Sequence, residues 1–299
     1  MYKMENKPRG QVVSCYLMGG LGNQLFQIFT TLAYGIKTNR TVLFPYADIL
    51  DVGIRRPTYW KSFLHSLLPF TLLNRNDYTN MALALFPRFN ESGFRYVEIP
   101  NFTANQEVLL VGYFQSYQYF DTYREQLFQL IRLQTQKNDI RQFYSKLFDA
   151  DHTISMHFRL GDYKNIQDAH PLMTYDYYRK ALNYVLSYRN QKVYRVLYFC
   201  EKEDIVEVLI IIDKLRREFD IVEFLHVDTA IPDWQQMLLM SCCQDNIIAN
   251  SSFSWFGAYF NMSDSKIVCY PDTWFGPRLT HDTSDLCPAE WNRIFCQNK

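Results

Sequence analysis

Hydrophobic positions in the second half of the chain repeat in two alternating rhythms. Apolar runs at 153–158, 193–200, 221–226, 246–249 and 266–270 have the length of buried strands. Between them Tyr178, Ala181, Leu182 and Val185 fall at i, i+3, i+4 and i+7, and the stretches 203–217, 233–243 and 254–262 also read as helices. Repeated strand–helix units predict a parallel, doubly wound sheet. The first half is less regular. A strand at 12–18 runs into a glycine loop, and Leu25, Ile28, Phe29 and Leu32 predict a helix from about Asn23. A region rich in proline and aromatic residues covers 45–102, followed by a strand at 108–114 and helices at 116–133 and 135–148. The polar run 149–152 is the expected domain boundary, which divides the chain into 1–150 and 151–299.

Three strand ends carry polar groups suited to an anion. The run ending at Ala249 meets Asn250-Ser251-Ser252-Phe253-Ser254 and then an aromatic helix. Free N–H groups gather at such a helix start, and the amide and hydroxyls add neutral donors. The competing reading is an N-cap with turn serines. The strand at 153–158 carries His157 and leads to Arg159, Gly161 and Asp162. An arginine at a strand's carboxyl end can hold phosphate through two parallel hydrogen bonds. A surface Arg159–Asp162 pair, and a core-edge role for His157, are the alternatives. Gly19, Gly20 and Gly22 let backbone approach a ligand beside Asn23, but their spacing fits neither the dinucleotide fingerprint nor a Walker loop. Asp228 follows the 221–226 strand, at another carboxyl end where a ligand could sit, or it serves the start of the helix near Asp233.

These segments resemble the α-1,2-fucosyltransferases of glycosyltransferase family 11. Gly19-Gly20-Leu21-Gly22-Asn23-Gln24 matches the opening motif, and His157-Phe158-Arg159-Leu160-Gly161-Asp162-Tyr163 matches the middle one, with Leu160 in place of a second arginine. Asn250 to Ala258 matches the late motif, with Phe256 in place of a second tryptophan. The resemblance implies a GT-B arrangement: two Rossmann-like α/β domains facing across a cleft, the first on the acceptor side and the second holding GDP-fucose. It implies inverting transfer of L-fucose to the 2-hydroxyl of a terminal galactoside. Arg159 would contact phosphate, with His157 and Asp162 beside it; Gly20, Gly22, Asn23, Asp228, Asn250, Ser251, Ser252, Phe253 and Ser254 would hold the nucleotide sugar. No metal and no separate cofactor are expected. Alternatives are another linkage, α-1,6 or protein O-fucosylation, or a non-catalytic glycan-binding relative.

Composition narrows this further. Lys plus Arg and Asp plus Glu both number 31, so no general attraction to nucleic acid or to an anionic membrane is expected. The seven cysteines, several inside apolar runs and none in a C-x-x-C pair, read as buried reduced thiols. No Cys/His spacing fits a metal site. No run of 18 apolar residues suggests a membrane span. A cytoplasmic enzyme is therefore expected, with a truncated Golgi-type enzyme as the alternative.

Overall fold

A computed structural model describes residues 11–51, 53–74, 78–103 and 106–296. The chain falls into two compact units: the described residues of Met1–Leu133 with Asp282–Cys287, and those of Gln134–His281 with Pro288–Lys299. Residues 149–152 lie inside the second unit.

The first unit is built on β1 (Val12–Cys15), whose four side chains are all buried, followed by α1 (Leu21–Thr38). The helix begins two residues before Asn23 and ends at Asn39, which adopts the left-handed conformation at φ 52. Then come β2 (Thr41–Val42), β3 (Ile49–Leu50), β4 (Arg56–Pro57), α2 (Asn80–Ala84), β5 (Arg88–Asn90), β6 (Val108–Val111) and α3 (Arg124–Leu130). Strands β2-β1-β6-β5 form a parallel sheet in that order, while β3 and β4 pair antiparallel. The strand expected at 108–114 stops at Val111, because Phe114 takes φ 52 and turns the chain out of the ladder. The helix expected at 116–133 is broken. Ser116 Oγ accepts from Gln118 N and starts a short 3-10 turn, so continuous α-helix begins only at Arg124. Arg132, at φ 53, separates α3 from α4 (Leu133–Phe143).

The late segment Asp282–Cys287 returns to this first unit. Asp285 Oδ2 accepts from Tyr96 N at 2.7 Å, and its carbonyl accepts from Ser116 Oγ at 2.9 Å.

In the second unit follow β7 (His152–His157), α5 (Tyr175–Ser187), β8 (Tyr194–Phe199), α6 (Ile205–Glu218), β9 (Val222–His226), α7 (Asp233–Cys242), β10 (Asp245–Ile247), α8 (Ser252–Tyr259), β11 (Val268–Pro271) and β12 (Asn292–Ile294). All six strands run parallel in the order β12-β11-β10-β7-β8-β9. Helices α5 and α6 pack together, α7 and α8 pack together, and β10 touches both pairs, so the sheet is covered on two faces. Two α/β units, each on a parallel sheet, agree with the α/β fold class expected. Ile154, Met156, Tyr177, Leu182, Val196 and Ile212 lie at the centre of the second core, each fully or almost fully buried. Trp255 and Phe256 are wholly buried as helix core.

Candidate active site at the strand ends of the second unit

Strands β7 and β10 are direct neighbours, with Met156 level with Ile247, so the segments leaving their carboxyl ends emerge side by side. Beyond β7 the Phe158 N–H still bonds Phe199 O at 2.8 Å, which extends the ladder toward Arg159. Arg159 is held between two carboxylates: Nη2 donates to Asp162 Oδ1 and Nη1 donates to Glu201 Oε1. Its guanidinium also lies 4.8 Å over the Tyr163 ring. Burial disfavours the charge, yet the two carboxylates more than restore it. Leu160 turns inward and joins the hydrophobic core with Met173 and Phe158. Position 160 therefore contributes packing to the core and no charge to the Arg159 site.

His157 is buried, and its Nδ1 has no hydrogen-bond partner. Burial, then the nearby Arg159 charge, push its pKa down to about 3, so the imidazole is neutral at physiological pH. Its ring faces Phe253 at 5.6 Å. That contact, with the Tyr163 Oη donation to Asn250 O at 3.4 Å, joins the Arg159 segment to the 250–254 turn.

The turn itself is partly committed to structure. Ser251 is the N-cap of α8, its hydroxyl accepting from Phe253 N at 3.3 Å. Ser254 is fully buried and donates to Ser251 O at 3.4 Å. Asn250 donates from Nδ2 to Pro171 O at 3.0 Å and to Trp274 O at 3.1 Å, tying two loops to the end of β10. Its Oδ1 is buried without a partner. Ser252 and Phe253 are half-exposed. At the far end of α8, Lys137 Nζ donates to Phe260 O at 2.7 Å and Lys266 Nζ to Ala258 O at 3.1 Å. Two lysines thus satisfy the helix's carboxyl end and leave its N–H end as the electropositive one.

The loops tied down by Asn250 present an aromatic row that the sequence reading did not assemble. His170 stacks on Tyr163 at 4.5 Å, Phe275 lies 5.4 Å from His170, and His281 lies 5.0 Å from Phe275. The His170 Nδ1 is also buried without a partner. Tyr163 lies within a recognised motif and Phe275 in an aromatic, proline-flanked loop; nothing in the spacing ties His170 to either. Asp228 stands apart at the carboxyl end of the edge strand β9, exposed, and accepts from Ala230 N at 2.9 Å. It closes its own turn, and the cap position of α7 is Pro232.

At the amino ends of β7 and β10 sits a second charged cluster. The fully buried Asp245 accepts from Arg189 Nε at 2.8 Å and Nη2 at 2.5 Å and from Ile267 N at 2.6 Å, and its Oδ2 lies 2.6 Å from His152 Nε2. Burial raises the Asp245 pKa, but Arg189, His152 and the Ile267 N–H outweigh it, and the net direction is down.

The glycine loop belongs to the first unit. Gly19 takes φ +78, and a Cβ there would lie 2.5 Å from Asn23 Nδ2, so only glycine fits. Gly20 is the N-cap of α1 without a capping side chain, and the space beside it is open. Gly22 is buried in the first turn, and Asn23 Oδ1 accepts from Gln115 Nε2 at 2.9 Å. Two helix glutamines staple the loop: Gln27 Oε1 accepts from Met18 N at 2.9 Å and Gln24 Nε2 donates to Gly19 O at 3.0 Å. On the same sheet edge, Glu91 Oε2 accepts from both Tyr113 N and Phe114 N at 2.8 Å, and burial pushes its pKa up to about 7.

Among the described residues no three His, Cys, Asp or Glu side chains are placed to hold a metal ion. No described helix is long and apolar enough to cross a membrane. All seven cysteines are free thiols, six of them buried.

The family model for glycosyl transferase family 11 matches residues 11–294. An α-1,2-colitosyltransferase of Escherichia coli is 27% identical over 95% of this chain and 99% of its own length. The O-antigen biosynthesis glycosyltransferase WbnK of Escherichia coli is 29% identical over 58% of this chain and 59% of its own. Among solved structures, a mutant of Arabidopsis thaliana FUT1 in complex with GDP is similar at 12% identity with a TM-score of 0.47, covering 89% of this chain and 71% of that one.

Proposed function

The chain belongs to glycosyl transferase family 11, and from that premise we propose that it moves L-fucose from GDP-fucose to the 2-hydroxyl of a terminal galactoside, inverting the anomeric carbon and using no metal. The observation that carries the reading is the pairing of Arg159 with the 250–254 turn through Tyr163 and Phe253. Breaking the sugar–phosphate bond develops negative charge on the leaving pyrophosphate. Arg159 supplies a fixed positive charge there, and the amino end of α8 supplies oriented N–H groups. One charge-assisted contact contributes roughly 1.5–3 kcal/mol, so several act together. His157, neutral and with Nδ1 unpaired, is suited to hydrogen bonding rather than to carrying charge. The buried free thiols fit a cytoplasmic enzyme.

A second reading changes the sugar. The Escherichia coli relative aligned over 99% of its own length is named for α-1,2 transfer of colitose, which is L-fucose without its 3-hydroxyl. Incubation with GDP-fucose and with GDP-colitose, each with lactose or N-acetyllactosamine as acceptor, separates the two. A fucosylated product substituted at O2 of galactose supports the first reading. A colitosylated product alone supports the second. GDP binding without transfer from either donor across a broad acceptor panel would identify a non-catalytic relative. Excess chelator in the same assay checks the metal: full activity is expected, and a loss restored by magnesium or manganese would contradict that part.

A further inference from the structure

The Arg159 site carries the wrong balance of charge for a diphosphate. Arg159 and Lys164 are its two cations, against the four carboxylates Asp162, Glu201, Asp204 and Glu207. His157 adds no charge, being neutral at physiological pH. Both terminal nitrogens of Arg159, the fork that would grip phosphate oxygens, are already taken by carboxylates. Each of these nitrogens keeps a second N–H, so a pyrophosphate meets carboxylate competition at the fork rather than an open guanidinium.

The two partners differ in how they are held. Asp162 is three residues from Arg159, within the short turn Gly161–Asn165. Glu201 lies two residues beyond the end of β8. His157 pairs with Phe199 in the β7–β8 register, which brings the residues two further along, Arg159 and Glu201, level with each other. Gly161, at φ +41, clears the space between them: a Cβ there would lie 2.7 Å from Glu201 Oε2 and 3.3 Å from Arg159 Nη1. The Glu201 side chain is 51% exposed while that of Arg159 is 18% exposed, so the carboxylate can return to water and the guanidinium stays in place.

We infer that Glu201 is an internal competitor of the donor's pyrophosphate, a positioning residue that occupies Arg159 in the nucleotide-free enzyme and gives it up to phosphate on binding. The inference rests on the assignment of Arg159 to the pyrophosphate. Its consequence is a weakened grip on GDP, which favours release of the spent carrier after transfer.

The test is calorimetric titration of GDP, inorganic pyrophosphate and guanosine into the wild type, Glu201→Gln, Arg159→Ala and the double variant. Glu201→Gln is close in shape and lies at a half-exposed position, so folding is preserved. It is expected to bind GDP and pyrophosphate about three- to tenfold more tightly, the range set by losing one partly solvated charge pair. Guanosine affinity is expected to stay constant, and the gain to vanish on the Arg159→Ala background. Unchanged or weaker GDP binding by Glu201→Gln would overturn the inference. So would an equal change for guanosine, which marks a structural role. The parent assignment is read separately: Arg159→Ala binding GDP as tightly as wild type would remove Arg159 from the pyrophosphate, whatever Glu201 does.

Discussion

The same two strands, β7 and β10, end in an arginine–carboxylate cluster at each pole, and the two clusters differ in what they leave unpaired. At the amino pole every oxygen of Asp245 is engaged, and Arg189 bonds the Ser265 carbonyl as well. At the carboxyl pole Arg159 is paired by half-exposed side chains, while His157 Nδ1 and Asn250 Oδ1 are buried with nothing to bond. Buried polar atoms without partners are costly, and folded proteins keep few of them. A saturated cluster serves the fold; one that keeps buried polar atoms unbonded beside half-exposed partners is the better candidate for a ligand. Residue type alone does not separate the two.

The largest effect is expected at the saturated pole. Asp245→Ala removes the buried acceptor shared by Arg189, His152 and the Ile267 N–H and is expected to cost about 3 kcal/mol of stability, with GDP affinity unchanged in molecules that remain folded. Urea unfolding checks it, and a loss below about 1 kcal/mol would erase the contrast. Acid should act on the same cluster. Because the folded Asp245 pKa is lowered, its contribution is present above the unfolded value of about 3.9 and is lost as pH falls through the folded value. The wild type should therefore lose this increment only below about pH 4, a loss that Asp245→Ala should lack.

At the other pole the signature reverses. Arg159→Ala is expected to lower turnover at least about 100-fold while the melting temperature barely moves. Arg159→Lys should recover little of the activity, since an ammonium lacks the two-pronged geometry. A folded Arg159→Ala enzyme with near-normal turnover would make both poles structural.

Ser251 is the intermediate case, because its hydroxyl already caps α8. Ser251→Ala should cost about 0.5–2 kcal/mol of stability. Titration of GDP and GMP then sharpens the comparison: a loss of GDP affinity with GMP unaffected places a second role at the β-phosphate, whereas unchanged affinity leaves Ser251 a cap. The smallest effect is expected for proton transfer by His157. With its pKa near 3, no inflection from this imidazole should appear between pH 5 and 8. NMR titration of its ring protons reads this directly, and a midpoint in that window would show the site to be wetter and less positive than the geometry implies.

Much of the second sheet was legible because its strands are apolar enough to announce themselves. The expected runs 153–158, 193–200 and 221–226 each lie within a residue of β7, β8 and β9. Strand β12 was not seen: Asn292, Arg293 and Ile294 have no strand pattern and become one only by pairing with the edge of β11. The Arg159–Asp162 pair could be read from local spacing. The Glu201 arm could not, since it depends on which strands are neighbours and on their register. Leu160 stood out in the sequence only as the residue in place of a second arginine; its place in the core follows from the chain turning inward after β7. The aromatic row through His170 was hidden for a similar reason, because the loops that carry it are positioned by the Asn250 amide rather than by any period of their own.

The return of Asp282–Cys287 to the first unit bears on how the protein is made. A ribosome delivers Tyr96 and Ser116 long before it delivers Asp285, the residue whose side chain and carbonyl they bond. The first unit therefore stays incomplete until Asp285 has emerged, even though its main sheet is finished at Val111. Synthesis in two pieces cut between 133 and 134 would leave the amino-terminal piece without this strap, and supplying Asp282–Cys287 as a separate peptide should bring it back.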